Sequence, residues 1–412
     1  MKAAALMALV AAAAMAAAGG REIRLTPADD WFGVLHGGGL QPGDRVILGA
    51  GTYTDARRLE MNHRGTAEEP IVIRAAEGAR VVMKRPDARQ NTINMAGCRH
   101  LVLDGLEITG GSAGIRIAKQ GDHMAKHLVF RNLHIHHIGG VAITANHPGN
   151  VYERLVFRRN HIHHTGGAGE GFYLGVNNAA DGSTPGYICN SVVEGNYIHD
   201  LNGEGVRQGD GIEIKDGSYG NIIRDNVIHD TNYPGIIVYG TDGKERNVIE
   251  RNVIWNTGDH GIQAAADAVI RNNIVFDCKG AGIYARTHQS AVVGNLRIVH
   301  NTVVTPGKMA VRVLRPDDGK FSGRIVIANN ALYGRTAMEL IPAAPVDVAG
   351  NAGEGMLEGW VVTDASMWNG TGVLRRDFVG GQRFFPAAGP TLVGKADGRF
   401  RVEDDFNGTK RG

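Results

Sequence analysis

Residues 222–228 read Ile-Ile-Arg-Asp-Asn-Val-Ile, and residues 248–254 repeat the pattern as Val-Ile-Glu-Arg-Asn-Val-Ile. Each copy joins a short β-branched run to an asparagine and then to a second short apolar run. β-Branched residues favour strands, and such runs are too short to be amphipathic helices. The pattern therefore predicts two short strands separated by a sharp turn.

The same pattern recurs through the middle of the chain. Its asparagines are Asn132, Asn160, Asn196, Asn226, Asn252, Asn273, Asn301 and Asn330. A variable repeat of this kind, built from short strands and Gly/Asn turns, is typical of a solenoid, whereas a propeller needs four strands per blade at a more regular period. We therefore predict an all-β, single-domain right-handed parallel β-helix. Its stacked asparagines should form a structural ladder, because asparagine tolerates left-handed turns and can bond to the next coil.

Composition and charge exclude several classes of protein. Glycine supplies 59 of 412 residues, about twice its usual share, but it follows no collagen period. Charged residues at 21% and hydrophobic residues at 43% argue against bulk disorder. A net charge of +2 without a long basic run argues against nucleic acid as a partner. The three cysteines, Cys98, Cys189 and Cys278, do not make a disulfide framework, which favours buried thiols.

The first twenty residues have the composition of a secretory signal peptide. Lys2 precedes an uninterrupted apolar run over residues 3–18, and two glycines follow. We expect residues 1–20 to be cleaved and the protein to be secreted or periplasmic. The rest of the chain, residues 21–412, contains no apolar run long enough to span a bilayer, so no membrane partner is expected. This part is predicted to fold as one domain and to act as a monomer.

Both ends of the solenoid need a cap, because an open coil exposes strand edges and core. A short N-terminal helical cap is predicted within about residues 21–45, with a helix that opens at residues 26–27, runs through Trp31, Phe32, Val34 and Leu35, and ends at the glycines of residues 37–39. The repeat is lost near Met338, so an irregular C-terminal cap is predicted over about residues 338–412.

Four segments of the chain carry a resemblance to a known group of proteins. The resemblance rests on residues 41–48 (Gln-Pro-Gly-Asp-Arg-Val-Ile-Leu), 51–53, 70–73 and 101–106. In these segments the sequence is similar to the pectate-lyase-like superfamily, which implies the β-helix fold over nearly the whole mature chain. The superfamily includes lyases, hydrolases, epimerases and adhesins, so the reaction must be inferred from the site itself.

A second short strand follows each asparagine strand and starts after a glycine, as in Gly-Ile-Glu-Ile-Lys at residues 211–215. Alternation sends the isoleucines into the core and the other two residues outward. The first outward column is predicted to read Arg116, Ala142, Tyr173, Glu213, Ile237, Gln263 and Tyr284. The second is predicted to read Ala118, Thr144, Gly175, Lys215, Tyr239, Ala265 and Arg286. Because coils lie about 4.8 Å apart, the central residues of both columns should cluster within about 10 Å. These residues are Tyr173, Glu213, Lys215 and Tyr239.

The two columns suit an extended acidic sugar chain, because aromatic rings stack on sugars and cations pair with carboxylates. We predict a binding groove along them, walled by residues 175–191 and 201–210. The alternative is a solvated face without a function. The predicted substrate-binding residues are Tyr239, Arg286, Glu213, His147, Asn146, Arg116 and Tyr284.

The predicted reaction is β-elimination on a uronic-acid glycan, with alginate or polymannuronate favoured, which would make the protein a polysaccharide lyase. The reaction needs a base, an acid and a group that neutralises the uronate carboxylate. We assign these roles to Lys215, Tyr173 and Arg207, in that order. A Tyr–Lys pair on neighbouring coils resembles the alginate-lyase-type members of the superfamily, and this resemblance implies a lysine base.

No cofactor is required for this chemistry, but Ca²⁺ is a candidate ligand. Asp210, Glu213 and Asp216 offer hard oxygen ligands close together in the chain. An ion bound to Glu213 would also occupy the carboxylate that would otherwise form an ion pair with Lys215. The His-x-His-His segments at residues 134–137 and 161–164 have a spacing open to transition metals, but their recurrence at one coil position favours a ladder of histidines at a turn.

Three other functions remain open from the sequence. A C5-epimerase forms the same intermediate and returns the proton to the opposite face of the sugar. A glycoside hydrolase needs two carboxyl groups flanking the scissile bond, and the segment from Asp210 to Asp216 supplies acids. A non-catalytic glycan-binding β-helix needs the groove only.

Overall fold

The structure is a computed structural model, and it describes residues 19–177, 185–314, 316–340, 345–359, 368–370, 374–375, 385–386 and 396–411. The predicted signal peptide lies outside the described residues apart from Gly19 and Gly20, and so does much of the predicted C-terminal cap.

The chain winds into a right-handed parallel β-helix, which confirms the predicted fold. Coils along the solenoid place strands on three faces, and each strand pairs in parallel with its counterpart one coil away. The first face is a 13-stranded sheet. Its strands are Glu22–Leu25, Arg45–Leu48, Ile71–Ala75, Arg99–Asp104, Lys126–Arg131, Val156–Arg158, Val192–Glu194, Ile222–Arg224, Asn247–Glu250, Ala266–Arg271, Gly294–Val299, Ile325–Ala328 and Val346–Ala349.

The other two faces belong to one 22-stranded sheet. The histidine face, named for its most frequent outward residue, consists of Gly51–Tyr53, Val81–Arg85, Glu107–Gly110, His134–Ile138, His161–Thr165, Tyr197–His199, Val227–Thr231, Val253–Thr257 and Ile274–Phe276. The site face consists of Glu60–Met61, Ile93–Ala96, Ile115–Ala118, Ile143–Ala145, Phe172–Leu174, Ile212–Ile214, Ile236–Val238, Ile262–Ala264 and Ile283–Ala285.

Towards the C-terminal end the two faces join, because longer strands run through both of them. These strands are Thr302–Val313, Ala331–Leu340 and Asn351–Gly359, and Trp368–Gly370 pairs with the last of them. Two small additions complete the strands of the described residues. Val151–Glu153 pairs in parallel with Tyr187–Cys189, and Leu374–Arg375 pairs antiparallel with Phe385–Pro386.

The hydrophobic core runs along the axis of the solenoid between the three faces. On the site face it receives one fully buried residue per coil at the same strand position. These residues are Ile115, Ile143, Phe172, Ile212, Ile236, Ile262 and Ile283. Burying each such side chain stabilises the fold by about 1.5–3 kcal/mol. The alternate residues on the same strands point away from the core, and this alternation positions the candidate site.

Buried asparagines join the coils at the turn between the first face and the histidine face. The Asn196 side chain donates to Asn226 Oδ1 at 2.9 Å, and Asn226 donates in the same way to Asn252. This ladder continues from Asn160 to Asn351. The predicted asparagine ladder is therefore present and structural.

One predicted member lies outside the ladder. Leu133 occupies the ladder position in that coil, and its N–H donates to Asn160 Oδ1 at 3.0 Å. Asn132, one residue earlier, is exposed, has a φ of 54° and donates to Asp104. Its assignment to the ladder was wrong by one residue, because left-handed turn asparagines and ladder asparagines occupy adjacent positions.

The N-terminal end contains the predicted helix, but it spans only Trp31–Leu35 and begins after the predicted start at residues 26–27; Trp31, Phe32 and Leu35 are buried over the first coils. At the other end the coils continue past Met338 through Val346–Ala349 and Asn351–Gly359. The predicted start of the irregular cap near residue 338 is therefore too early. Residues 396–411, which include the 3₁₀ helix Gly398–Phe400, lie along the side of the coils, where Val402 is buried.

The three cysteines are buried and unpaired, as the sequence favoured. Within the residues that the structure describes, we find no helix with the length and apolar character needed to cross a membrane.

Candidate active site

The strand register on the site face corrects the predicted outward columns at one coil. Thr144 pairs with Arg116 on one side and with Tyr173 on the other. It therefore stands in the first column, where Ala142 was predicted, and Asn146 takes the place of Thr144 in the second column. The cause is the position of the glycine that precedes each strand, which we call the anchoring glycine. In this coil it lies two residues further upstream of the strand than in the others.

In the other coils the predicted register is confirmed. Tyr173 pairs with Glu213, and the first column continues through Ile237 and Gln263 to Tyr284. Lys215 follows directly after the strand Ile212–Ile214, so its side chain shares the outward side with Glu213.

Lys215, Glu213 and Tyr239 form one hydrogen-bonded cluster. The Lys215 ammonium donates to Glu213 Oε1 and, at 3.1 Å, to the Tyr239 hydroxyl, which itself donates to the same carboxylate oxygen at 3.0 Å. Lys215 Nζ also lies 4.5 Å from the ring centroid of Tyr173 and 4.8 Å from that of Tyr239. The lysine side chain is only 4% exposed. The ammonium is thus held between two aromatic rings with one carboxylate as its direct partner.

Three buried carboxylates lie together beside this lysine. Glu170, Asp210 and Glu213 each offer an oxygen within 4.8 Å of the others, and we call them the acidic trio. Both oxygens of Glu170, one of Asp210 and one of Glu213 are buried without a hydrogen-bond partner among the described residues. Burial, reinforced by the neighbouring charge of Glu213, raises the pKa of Glu170 to about 7 and the pKa of Asp210 well above its ordinary value.

The acidic trio fits a divalent cation. Unpartnered carboxylate oxygens that converge on one point are the hard donors that Ca²⁺ binds, and a cation there would compensate the buried negative charge. The structure does not bring Asp216 into this group, although the sequence grouped it with Asp210 and Glu213. Its carboxylate instead accepts a hydrogen bond from the Ser290 hydroxyl at 2.7 Å.

Sequence reasoning missed Glu170, although a signal for it exists. Glu170 precedes Gly171 as Asp210 precedes Gly211. Because the strands that follow pair in register, the two acids lie at equivalent positions on adjacent coils. Comparing the residue before each anchoring glycine would have paired them.

The site is walled on one side by a segment that the sequence did not indicate. In the loop over residues 286–293, the His288 ring lies 4.9 Å from the Tyr239 ring, and Ala291 packs against Tyr239. Of the predicted walls, residues 178–184 lie outside the described part of the chain. The second predicted wall contains Arg207, which is exposed. Its positive charge lowers the pKa of Glu170 and so offsets part of the rise that burial causes.

The remaining predicted substrate-binding residues are dispersed along the site face. Arg116 and His147 line one open pocket several strands from Lys215. Arg286 is exposed, and its Nε donates to the carbonyl of the residue that follows it. Tyr284 is only 5% exposed, with its ring 3.8 Å from the ring of His260. A ring covered in this way is not free to stack on a sugar.

The description "right handed beta helix region" belongs to a family model that matches residues 86–245 and 189–332. Together these overlapping matches cover more than half of the chain. The chain belongs to this right-handed β-helix family. A comparison with curated protein sequences finds no match.

Solved structures support the same fold for this β-helix. An alginate lyase from Paenibacillus sp. str. FPU-7 is 20% identical, with a TM-score of 0.54 over 82% of this chain and 99% of that chain. XylC in complex with xylose is 11% identical, with a TM-score of 0.61 over 95% of this chain and 97% of that chain. The PL6 family alginate lyase AlyGC is 15% identical, with a TM-score of 0.53 over 89% of this chain and 55% of that chain. At these identities the likeness establishes the fold only.

Proposed function

We propose that this protein is a polysaccharide lyase that cleaves a uronic-acid glycan by β-elimination, with alginate or polymannuronate as the favoured substrate. The observation that carries the proposal is the position of Lys215 Nζ between the rings of Tyr173 and Tyr239 on the outward side of a β-helix. Polysaccharide lyases are among the proteins that share this fold, which supports the proposal.

In the proposed reaction Lys215 removes the proton from C5, next to the uronate carboxylate. Its amine cannot accept a proton while it donates as an ammonium to Glu213. The reaction therefore requires Glu213 to take another partner and Lys215 to lose a proton before the sugar reacts.

Tyr173 is the proposed acid that protonates the departing glycosidic oxygen. Burial first, and then the charge of Glu213, raise the pKa of both Tyr173 and Tyr239, so both phenols keep their protons at neutral pH. The Tyr239 hydroxyl is committed to Glu213. The Tyr173 hydroxyl has no hydrogen-bond partner within the described residues, and Tyr173 is partly exposed, so its proton is available to a bound sugar.

Glu170, Asp210 and Glu213 are proposed to hold Ca²⁺. Such an ion would neutralise the uronate carboxylate and so favour loss of the C5 proton. Glu213 Oε2 has no hydrogen-bond partner among the described residues, so an ion bound there would draw the carboxylate charge away from the Lys215 amine, which is held by Oε1. Arg207, on the exposed segment beside the trio, is proposed to bind the same substrate carboxylate.

An ultraviolet assay tests the proposal, because elimination leaves a double bond conjugated with the carboxylate. Alginate, polymannuronate, polyguluronate, pectate and glucuronan are each mixed with the protein, and a rise in absorbance is expected on one of them. Lys215→Ala and Tyr173→Phe should abolish the rise. Lys244→Ala is the matched control, because Lys244 Nζ also lies over two tyrosine rings, at 4.9 and 5.1 Å, outside the site. Full activity of Lys215→Ala would overturn the proposal.

A glycoside hydrolase is the second candidate, and Glu170 is the observation that favours it. A carboxyl group whose pKa is raised to about 7 can donate a proton near neutral pH, as a hydrolase acid must. New reducing ends without an absorbance rise, lost in Glu170→Gln and kept in Lys215→Ala, would support this candidate. Conversion of mannuronate units without cleavage, followed by NMR, would instead support a C5-epimerase.

The proposed substrate is outside the cell, which fits export. We propose that residues 1–20 are removed and that the protein is secreted or periplasmic. Sequencing the N-terminus of protein recovered from the periplasm or the medium tests this, and an intact Met1 would contradict it.

A further inference from the structure

A second cluster of ligand side chains lies on the histidine face, away from the acidic trio. His134 and His136 are on one strand, and His161 and His163 are on the next, with the strands paired residue for residue. Neighbouring ring centroids among the four are 4.4 to 5.2 Å apart. The expected ladder is therefore present, but it lies on strands and not at a turn. Residues two apart on a strand share one side, so all four imidazoles share a surface.

Direct contacts between these imidazoles cross the coils along a diagonal. His134 Nε2 lies 2.8 Å from His163 Nε2, and His161 Nε2 lies 2.7 Å from His199 Nε2. Each contact needs one ring nitrogen without a proton, because two N–H groups cannot share a hydrogen bond. Each diagonal contact therefore contains one nitrogen whose lone pair points across the coils and accepts from the facing ring.

In the coils before and after these histidines, the same diagonal contact joins a histidine to a residue of another type. One coil earlier, His136 Nε2 contacts Glu107 at 3.2 Å, and one coil later, Tyr197 contacts His229 at 3.0 Å. Glu107 is already held by two hydrogen bonds from Arg80, each of 2.7 Å. The run of contacts between two histidines therefore ends at Glu107 on one side and at Tyr197 on the other.

We propose that His134, His161 and His163 bind Zn²⁺. Each of the three offers one ring nitrogen, and these nitrogens lie within 4.8 Å of one another. Imidazole is a preferred ligand of zinc, and three such nitrogens with water form a common tetrahedral set. Ligand nitrogens around zinc lie about 3.3 Å apart, so the closest pair must open by about 0.5 Å and a pair at the 4.8 Å limit must close by about 1.5 Å, which rotation of the imidazoles can supply.

Access to this site is open. The three side chains are partly exposed, and no other described chain segment is needed to complete the site. Because the ligands come from two coils, bound zinc joins strand His134–Ile138 to strand His161–Thr165. A ligand that binds only the folded state stabilises it, so the ion should raise the unfolding temperature.

Zinc uptake by untagged, metal-free protein tests the proposal. Zn²⁺ is titrated in competition with a chromophoric chelator, and one ion per chain is expected. His163→Gln and His134→Gln should each weaken the affinity at least tenfold. His127→Gln is the matched control, because His127 also stacks on a histidine of the neighbouring coil, at 4.5 Å, but on the first face. The two single variants are both measured, so that misfolding of one leaves the other as a test.

Thermal unfolding gives the second readout. Zinc should raise the unfolding temperature of the wild type and of His127→Gln by several degrees, and it should leave the two ligand variants unchanged. In chelator, circular dichroism should show that all four proteins are folded. Absence of uptake by the wild type, or equal uptake by the ligand variants, would overturn the proposal. Neither readout depends on glycan cleavage, so this test is separate from that of the proposed function.

Discussion

Lys215 Nζ and the Tyr239 hydroxyl, 3.1 Å apart on neighbouring coils, both donate hydrogen bonds to Oε1 of Glu213. One carboxylate oxygen therefore holds both the proposed base and a tyrosine in place. Because the cluster is buried, each of its members depends on the others for a polar partner. Any reaction at this lysine requires the carboxylate to be redirected.

Substitution of the lysine should remove lyase activity. Acid–base groups contribute roughly 10²–10⁴-fold to rates, so Lys215→Ala should lower kcat by about that factor. Tyr239→Phe should have a smaller effect, because it removes the two hydrogen bonds of the hydroxyl but keeps the ring over the ammonium. The initial rate of absorbance increase measures both, with Lys244→Ala as the control. Equal rates for Lys215→Ala and Lys244→Ala would contradict the assignment of the base.

Calcium binding should distinguish the acidic trio from the three acids closest in sequence. Asp210→Asn should abolish Ca²⁺ binding measured by calorimetry, because it removes one of the three convergent carboxylates. Asp216→Asn should bind Ca²⁺ like the wild type, since Asp216 is bonded to Ser290 instead. Loss of binding in Asp216→Asn as well as in Asp210→Asn would place the ion on the ligand set suggested by the sequence.

Stability in chelator should fall as the pH rises through the range in which Glu170 titrates. An unfolded glutamate releases its proton near 4.5, but the buried Glu170 carboxyl holds its proton up to about 7. Between these values the folded state binds more protons than the unfolded state, so raising the pH favours unfolding. Glu170→Gln should therefore match the wild type at pH 4 and be more stable at pH 8, by up to about 3 kcal/mol.

Urea unfolding at several pH values measures this difference. Added Ca²⁺ should reduce the difference at pH 8, because the ion stabilises the ionised carboxylate of the wild type. A difference between the two proteins that does not change from pH 4 to pH 8 would show that Glu170 is not responsible.

Two asparagines of the same sequence repeat should differ in their contribution to stability, because only one of them lies in the ladder. Asn226→Ala leaves the backbone N–H and side-chain amide of Asn196 without their acceptor, and should cost about 1–3 kcal/mol of unfolding free energy. Asn132→Gly is the matched control from the same repeat, because glycine tolerates the left-handed turn and Asn132 is exposed. Chemical unfolding should show less than about 0.5 kcal/mol for the control. Similar losses of unfolding free energy in both variants would contradict the finding that Asn132 lies one residue before the ladder position.

The sequence by itself determined the repeating part of this protein. The β-helix, the buried strand positions, most of the ladder and the outward placement of Tyr173, Glu213 and Lys215 follow from alternation and from a recurring turn residue. Such features depend on neighbours in the chain and on a fixed stacking distance, so a local pattern contains them.

Only the tertiary structure decided which polar groups meet. It joined Glu170 to Asp210 and Glu213, turned Asp216 towards Ser290 and covered Tyr284 with His260. It also placed the histidines on strands, where their nitrogens meet across coils. The physical reason is that side-chain partners are set by rotamers, loop paths and register shifts of one or two residues, and these respond to contacts between coils that are distant in sequence.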